Sequence, residues 1–298
     1  MSRLPILSAF LELFQVEVGR QIEYTFGEDP AEVGALIVGL GSDFLARVGR
    51  FSNALLNGQE WARSIVSFTG SAEPLLYYLK VDRDGADVKR ATLYSRFADP
   101  VPEATLEAAL SPSVMSLWKG PSPHEIGRLV ETKGPWCIGL RVEADGQCGL
   151  SMYYEVDARR DDFRDRLLGP LVAGLGWPGE IAGRIAADLP AIYEPGKLGV
   201  LGLASGAGAE GLTLKLDAFD VPLRRALAYV AGKGASAARL SELASTVQRL
   251  GAGRVSYVGS KYDANGFGGW KLYVAVRPLH HAAALAPRLV SALPTGRG

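Results

Sequence analysis

The amino-acid sequence predicts an α+β fold in which repeated ααββ units close their antiparallel strands into a β-barrel surrounded by α-helices. Four segments read as β-hairpins, because two runs of alternating side chains flank a polar or glycine-rich turn. These hairpins begin near residues 75, 136, 198 and 254, at intervals of about 60 residues. Each interval also holds two helical patterns. A ββαα unit cannot bury its own sheet face, and closing the strands into a barrel removes exposed edges. The alternatives are a long sheet with helices on one face and an ordinary α+β domain with the same elements.

Composition and charge place the chain among globular proteins. Its 298 residues are 48% hydrophobic and 21% charged, which suffices for a sizeable core, and we expect one domain over residues 1–298. The 32 basic and 32 acidic residues balance, so non-specific nucleic-acid binding is not expected. No apolar run of about 18 residues suggests a membrane span, and residues 1–20 do not resemble a signal peptide. We therefore expect a cytoplasmic protein without membrane or nucleic-acid partners.

The first elements are predicted to be helical. Apolar residues recur at helical spacing over residues 4–18. Asp29 and Pro30 then read as the cap and first position of a second helix, which continues to about Arg47. The run SIVSF at 64–68 either leads into the first hairpin or is itself a strand.

The first predicted hairpin, at 73–97, reads EPLLYYLKVDRDGADVKRATLYSRF and has basic and tyrosine side chains at alternate positions. Because side chains in a strand alternate between two faces, these residues can share one face. They are Tyr78, Lys80, Arg90, Tyr94 and Arg96. Such a face either meets water or, inside a barrel, forms part of an anion-binding lining.

The later elements repeat this plan. Residues 101–118 read as helix with a break near Pro112, and Ser122 and Glu125 form a capping box that begins a short helix. Asp145-Gly146 marks the turn of the second hairpin. The remaining helices are predicted at 161–177, 178–193, 220–234, 236–251 and 279–291, with the third and fourth hairpins at 198–219 and 254–277.

Two of these hairpins resemble those of the ABBA-type aromatic prenyltransferases. SFTGSAEPLLYYLKV followed by KRATLYSRFADP is similar to the first hairpin of the indole branch, where Arg90 matches a diphosphate-binding arginine and Tyr94 lies near the family's aromatic residue. YVGSKYDANGFGGWKLYVAV resembles the closing hairpin of the bacterial peptide-modifying branch, and Lys271 and Tyr273 match its basic-x-Tyr pattern. The resemblance implies the PT-barrel fold, in which ααββ repeats surround a solvent-filled chamber.

The same resemblance implies an activity. The family transfers a dimethylallyl or longer prenyl group from an allylic diphosphate to an aromatic acceptor, which is an indole, a phenol or an aromatic side chain of a peptide. Three departures are visible. Leu76 stands where indole-type enzymes have a glutamate, Ser151 replaces the lysine of a Lys-x-Tyr pattern whose tyrosine is Tyr153, and four hairpins are found where the family barrel has five.

The inward-facing polar residues predict a diphosphate site. Cations gathered inside a barrel are costly without an anion, and phosphate oxygens pair well with Arg and Lys. The predicted diphosphate ligands are Arg90, Arg141, Lys215, Lys261 and Lys271. The predicted shield of the allyl cation is Tyr94, Tyr153, Tyr257 and Tyr273, whose ring faces favour a cation. The candidates for the base that removes the ring proton are Glu155, Asp217 and Glu23.

No protein-bound metal or organic cofactor is predicted. Two cysteines and three histidines offer no zinc-type spacing, and the sequence leaves open whether Mg²⁺ accompanies the diphosphate. Cys137 and Cys148 lie in one hairpin, where we expect two reduced thiols rather than a disulfide.

Two other functions fit the same residues. Basic strand faces are often simply solvated, which would suit a non-catalytic ligand-binding or scaffold protein on a repeated α+β frame. An enzyme acting on another anionic substrate, such as a phosphorylated metabolite, is the third hypothesis. The run GLASGAGAEG lacks the lysine of a nucleotide-binding loop, and no GxSxG nucleophile motif occurs.

Overall fold

Ten antiparallel strands form a closed barrel in this protein. The computed structural model describes residues 22–28, 32–39, 44–46, 48, 74–84, 87–102, 104–106, 110, 112–143, 145, 147–156, 163–192, 199–206 and 211–276. The strands are β1 (Ile22–Gly27), β2 (Glu32–Gly39), β3 (Leu76–Asp84), β4 (Asp87–Arg96), β5 (Cys137–Glu143), β6 (Cys148–Val156), β7 (Gly199–Gly206), β8 (Thr213–Pro222), β9 (Arg254–Asp263) and β10 (Gly266–Val276). Each strand pairs with its neighbours in the chain, and β1 also pairs with β10, which closes the sheet.

The predicted barrel of repeated hairpins and helices is confirmed, with one hairpin that the prediction missed. β1 and β2 form this additional hairpin, so the predicted helix from Asp29 to about Arg47 is wrong over 32–39. The local capping signal is overridden because EVGALIVG pairs with β1 on one side and β3 on the other. The predicted helices at 4–18 and 279–291 and the run at 64–68 lie outside the described residues.

Helical residues are described at 44–46, 48 and 104–106, and six further helices have defined bounds on the connections between hairpins. They are α1 (Pro112–Met115), α2 (Pro123–Leu129), α3 (Gly169–Gly174), α4 (Glu180–Ile192), α5 (Leu223–Gly232) and α6 (Ala237–Arg249), and a π-helical turn at Phe163–Leu168 leads into α3. The predicted capping box of α2 is confirmed. The backbone N–H of Glu125 donates to Ser122 Oγ at 3.1 Å, and Ser122 N–H donates to Glu125 Oε2 at 2.8 Å.

The apolar core lies between the outer face of the barrel and the helices. On the strands it includes Leu79, Leu93, Leu140, Leu150, Leu203, Leu216, Val258 and Leu272, and on the helices Ile126, Leu171, Ile185, Val230 and Val247. Burying each such side chain contributes about 1.5–3 kcal/mol. Since alternate strand residues point in opposite directions, the residues between these core positions face the barrel interior.

Four glycines of the described strands leave space for the inward-pointing side chains of residues on the neighbouring strands. Each glycine is the cross-strand partner of the residue it accommodates, and a Cβ added to it would approach that side chain to 2.6–2.7 Å. The pairs are Gly34 with Asp82, Gly139 with Tyr94, Gly202 with Tyr153, and Gly259 with Asp217. A side chain larger than hydrogen at these positions would displace its neighbour into the interior.

Candidate active site

An open cavity occupies the half of the barrel interior farther from the hairpin turns, and its empty space together with the adjoining open solvent is about 590 Å³. Five of its wall residues are tyrosines, which come from five different strands. The lining consists of Glu23, Tyr78, Tyr94, Trp136, Cys137, Tyr153, Lys215, Asp217, Phe219, Tyr257 and Tyr273. A cavity with aromatic walls and few polar groups is suited to a flat, largely apolar ligand.

The aromatic rings of this wall pack edge to face. The ring centroids of Tyr94 and Tyr153 are 5.7 Å apart at an interplanar angle of 67°, and those of Tyr257 and Tyr273 are 5.8 Å apart at 81°. Burial raises the pKa of both Tyr153 and Tyr273 to about 12. These phenols are therefore neutral near pH 7, and they offer electron-rich rings without a negative charge.

Lys215 supplies a fixed cation at the base of the cavity. Its Nζ donates a hydrogen bond to Tyr273 Oη at 2.9 Å and lies 3.0 Å from Asp217 Oδ2. The same Nζ lies 4.8 Å from the ring centroid of Tyr273 and 5.8 Å from that of Tyr153. Burial lowers the pKa of Lys215, but Asp217 and the neighbouring phenols outweigh it and hold the pKa well above the usual value. Lys215 is therefore charged.

A second group of cations lies nearer the hairpin turns, on the same inward strand faces. We call it the cation cluster, and it consists of Lys80, Arg90, Arg141, Lys261 and Lys271. Asp82, only 1% exposed, is its central carboxylate. Asp82 Oδ1 lies 3.2 Å from Lys80 Nζ and 3.4 Å from Lys271 Nζ, and Oδ2 lies 3.6 Å from Arg90 Nε.

The second carboxylate of the cation cluster is Glu143. Its oxygens lie 3.2 Å from Arg141 Nε and 3.7 Å from Arg90 Nε. Burial lowers the pKa of Lys261, and the nearby positive charges of Arg141 and Arg90 lower it further. The cluster therefore holds cations close enough to repel one another, and an added polyanion would relieve that repulsion.

Buried charges in the cluster have shifted pKa values. Burial raises the pKa of Asp82, but Lys271, Lys80 and Arg90 outweigh it and hold this pKa well below its usual range. Burial lowers the pKa of Lys80 to about 7; Asp82 opposes this effect, whereas Lys271, Lys215 and Arg90 add to it. Asp82 is thus ionised, and Lys80 exchanges its proton near neutral pH.

The structure brings together most of the residues predicted for the site. All five predicted diphosphate ligands lie on inward strand faces, with Lys215 at the cavity base and Arg90, Arg141, Lys261 and Lys271 in the cation cluster. The four predicted shield tyrosines line the cavity, as do Asp217 and Glu23.

Glu155 is the exception among the predicted residues. It is exposed and does not line the cavity. Glu155 is the second-last residue of β6, and alternation along a strand predicts the face of a residue but not its depth in the barrel. We therefore remove it from the candidates for the base.

Sequence reasoning left out several residues of the site. Lys80 and Tyr78 were placed on the inward face of the first predicted hairpin but given no role. Asp82 lies two residues after Lys80, so alternation along the strand already predicts a carboxylate on the same face as these cations. Trp136, Cys137 and Phe219 lie beside or between predicted site residues, at the ends of β5 and β8. Their depth in the barrel could not be deduced from alternation.

Both cysteines are free thiols, as predicted. Burial raises the pKa of Cys137 to about 12, so its thiol is a poor nucleophile in spite of its place in the cavity. Within the described part of the chain, no group of three or more histidine, cysteine or carboxylate side chains is arranged to hold a metal ion. None of the described helices is long and apolar enough to span a membrane.

Comparison with solved structures identifies the fold. NotF in complex with brevianamide F and DMSPP superposes with a TM-score of 0.61 at 11% identity, covering 92% of this chain and 89% of that one. AnaPT from Neosartorya fischeri gives 0.61 at 9% identity, covering 87% and 78%. The 5-dimethylallyltryptophan synthase from Streptomyces coelicolor gives 0.57 at 12% identity, covering 86% and 80%.

These similarities confirm the fold implied by the sequence resemblance. The protein is a closed antiparallel barrel with outer helices, and its fold is the PT barrel of the ABBA-type aromatic prenyltransferases. No protein-family model matches the sequence, and no curated protein matches it either.

Proposed function

We propose that this protein is an aromatic prenyltransferase. It transfers a dimethylallyl or longer prenyl group from an allylic diphosphate to an indole, a phenol or an aromatic side chain of a peptide. One observation carries the proposal: inside one closed barrel, a tyrosine-lined cavity adjoins the cation cluster, in which Lys80 is buried, Arg90, Arg141 and Lys271 are half-buried and Lys261 is exposed, with Lys215 between the cavity and the cluster. An allylic diphosphate has the same two parts, an apolar chain and a polyanion.

The cations act on the donor. Arg90, Arg141, Lys215, Lys261 and Lys271 bind the diphosphate through charge-assisted hydrogen bonds. When the bond between C1 and the bridging oxygen breaks, its electron pair leaves with pyrophosphate, and the fixed cations stabilise the charge that develops there. The allyl cation remains beside the neutral tyrosine rings, which stabilise it by cation–π contact and exclude water.

The acceptor ring completes the reaction. Its π electrons form the new bond to the allyl carbon, and the ring then loses the proton from the substituted carbon. Asp217 and Glu23 are the carboxylates of the described lining that can accept this proton. Leu76 lies where indole-type enzymes have a glutamate, so we leave the acceptor class open among indoles, phenols and peptide side chains.

The solved structures with this fold support the proposal by their names. One is a 5-dimethylallyltryptophan synthase, one is described as NotF prenyltransferase, and NotF also holds brevianamide F and DMSPP. At 9–12% identity these names apply to those proteins, and the cation cluster and the tyrosine cavity are the reasons for extending the activity to this chain.

Incubation with allylic diphosphates and a panel of aromatic acceptors tests the proposal. Dimethylallyl and geranyl diphosphate are each offered with tryptophan, a tryptophan-containing cyclic dipeptide, simple phenols and peptides containing Trp or Tyr, with Mg²⁺ or with a chelator. Mass spectrometry should detect an acceptor heavier by one prenyl unit. Calorimetry should show binding of the donor alone. No binding of any prenyl diphosphate would overturn the proposal.

Two cluster variants separate an enzyme from a scaffold. Arg90→Ala and Lys271→Ala each remove a cation near Asp82 and should lower turnover at least about tenfold with the barrel still folded. Lys89→Ala, at an exposed position of the same strand as Arg90, is the matched control and should retain activity. Equal activity of all three variants would contradict the proposed role of the cluster.

A further inference from the structure

Lys80 is the most enclosed cation of the cation cluster. Its side chain is 6% exposed, compared with 20% for Arg90 and 23% for Lys271. Charged or polar groups face it from three other strands: Arg90 and Thr92 on β4, Lys215 on β8, and Lys271 and Tyr273 on β10. On its own strand it meets Asp82.

The carboxylate of Asp82 forms ion pairs with three cations. Lys80, Lys271 and Arg90 all lie within 3.6 Å of its two oxygens. Even with Glu143 beside Arg90 and Arg141, two carboxylates face the four cations Lys80, Arg90, Arg141 and Lys271. The free protein can relieve the remaining repulsion by releasing a proton from one of these cations. Arg90 cannot release one, because a guanidinium stays protonated in proteins. Lys271 is better solvated than Lys80, which makes Lys80 the group that is costliest to keep charged.

We propose that Lys80 is a further diphosphate-binding residue, which loses its proton in the free site at slightly alkaline pH and takes up a proton from solvent when the diphosphate binds. The balance is simple: the amine of Lys80, one proton and the diphosphate give an ammonium beside the bound anion. Release of pyrophosphate at the end of the reaction returns the proton to solvent. This inference rests on the proposed function for the identity of the anion.

The physical cause is the field of the cluster. Burial, together with Lys271, Lys215 and Arg90, lowers the pKa of Lys80 to about 7. A diphosphate among the same cations adds negative charge at close range, which favours the ammonium form and raises this pKa again. The effect on Lys80 is strong because charges in an enclosed site interact over several ångströms with little screening.

Because binding takes up a proton, the affinity for the diphosphate depends on pH. Above about pH 7 the free protein must acquire a proton to bind, so affinity falls as pH rises, by up to about tenfold per pH unit. Below about pH 7 Lys80 already carries its proton, and this contribution to the pH dependence disappears.

Calorimetry with inorganic pyrophosphate measures this uptake. Titrations near pH 8, in buffers of different ionisation enthalpy, give the number of protons exchanged. Pyrophosphate exchanges protons of its own, so the informative quantity is the difference between proteins. The native protein should take up about one proton more than Lys80→Met or Lys80→Arg. Lys80→Arg should bind tightly without uptake, because its charge is permanent, and Lys89→Met should match the native protein. Equal uptake by the native protein and both Lys80 variants would overturn the inference.

NMR titration separates this inference from the proposed function. The Lys80 side-chain signal, assigned from its loss in Lys80→Arg, should titrate near pH 7 in the free protein and at higher pH with pyrophosphate bound. A free-protein titration near the ordinary lysine value of about 10.4 would overturn the inference even in an active prenyltransferase. A neutral titration that shifts with pyrophosphate, in a protein that prenylates no acceptor, would support the inference and count against the proposed function. Failure to bind pyrophosphate would overturn both.

Discussion

The ring of Tyr153 is held by contacts on several sides. The edge-to-face contact with Tyr94 sets its tilt, Gly202 on the neighbouring strand leaves room beside it, and Lys215 Nζ lies 5.8 Å from its centroid. A ring that already lies beside a cation in the free protein needs little reorganisation to face an allyl cation. Under the proposed function, we expect this preorganisation to make the role of Tyr153 depend on its ring rather than on its hydroxyl.

Substitution of Tyr153 tests whether the ring or the hydroxyl matters. Tyr153→Phe keeps the ring, and its turnover should stay within about threefold of the native value. Tyr153→Leu removes the ring and should lower turnover by about 2–30-fold, which corresponds to a cation–π contribution of about 0.5–2 kcal/mol. The control is Tyr154→Phe, because Tyr154 points outward and donates to the carbonyl of Pro123. A larger loss in Tyr153→Phe than in Tyr153→Leu would contradict the role of the ring.

The lowered pKa of Asp82 predicts how the free energy of unfolding changes in acid. Its pKa is lower in the folded protein than in the unfolded chain, so its contribution to the free energy of unfolding is present above about pH 4 and is lost as pH falls further. Asp82→Asn leaves buried cations without their carboxylate and should cost about 3–5 kcal/mol near pH 7. Urea unfolding followed by circular dichroism should show this cost shrinking in acid, whereas exposed Asp99→Asn should change little. A cost independent of pH would contradict the assignment.

At the scale of the element, cross-strand glycines fix the room available to interior side chains. Gly202→Ala would place a Cβ 2.6 Å from the ring of Tyr153, so the ring must move into the cavity. We expect a loss of about 1–3 kcal/mol in unfolding free energy and weaker acceptor binding. Gly183→Ala is the counterpart in α4, where a Cβ meets nothing within 4 Å, and it should stabilise the protein by about 0.4–1 kcal/mol. Thermal unfolding and KM for the acceptor measure both effects.

The elements show where sequence patterns suffice and where they fail. Alternation in 73–97 predicted the inward face correctly, because Lys80 and Tyr94 occupy regular strands whose other face carries Leu79 and Leu93. The helix predicted from the pattern at 29–32 is wrong over 32–39, because pairing with β1 and β3 on the two sides favours a strand there. With β1 and β2 unrecognised, Glu23 could be proposed as a base but could not be placed in the wall of the cavity.

At the scale of the whole molecule, closure depends on β1. Thr25 is the cross-strand partner of Tyr273 on one side and of Gly34 on the other. Thr25→Pro would remove an N–H from this doubly paired strand and should cost about 3 kcal/mol or more. Gel filtration and thermal unfolding should reveal aggregation and a lower midpoint, since opening the barrel exposes strand edges. Thr25→Val keeps the N–H and loses only the hydroxyl, so a comparable loss there would indicate a side-chain effect instead.

The sequence predicted the kinds of side chain in the site better than it predicted their positions relative to one another. Repetition of hairpins gave the barrel, and the inward cations and tyrosines followed from alternation and resemblance. The shared role of Asp82 could not be deduced, because it depends on the approach of Lys271, a residue 189 positions away in the chain. Glu155 shows the same limit, because a carboxylate near the end of a strand could be named as a candidate base while its exposure could not be predicted.

Along each strand, the residues that face the helices and the residues that face the interior are under different selective constraints. Leu79, Leu93 and Leu216 face the helices and stabilise the fold, whereas their neighbours Lys80, Tyr94 and Asp217 face the barrel interior. A substitution that reshapes the chamber therefore leaves the packing of the apolar shell in place. Copies of such a protein can diverge in the shape of the chamber while they inherit one scaffold. A mutagenesis library confined to the inward residues of the cavity wall, with Asp82 and the interior glycines left unchanged, would vary the chamber with little loss of folded protein.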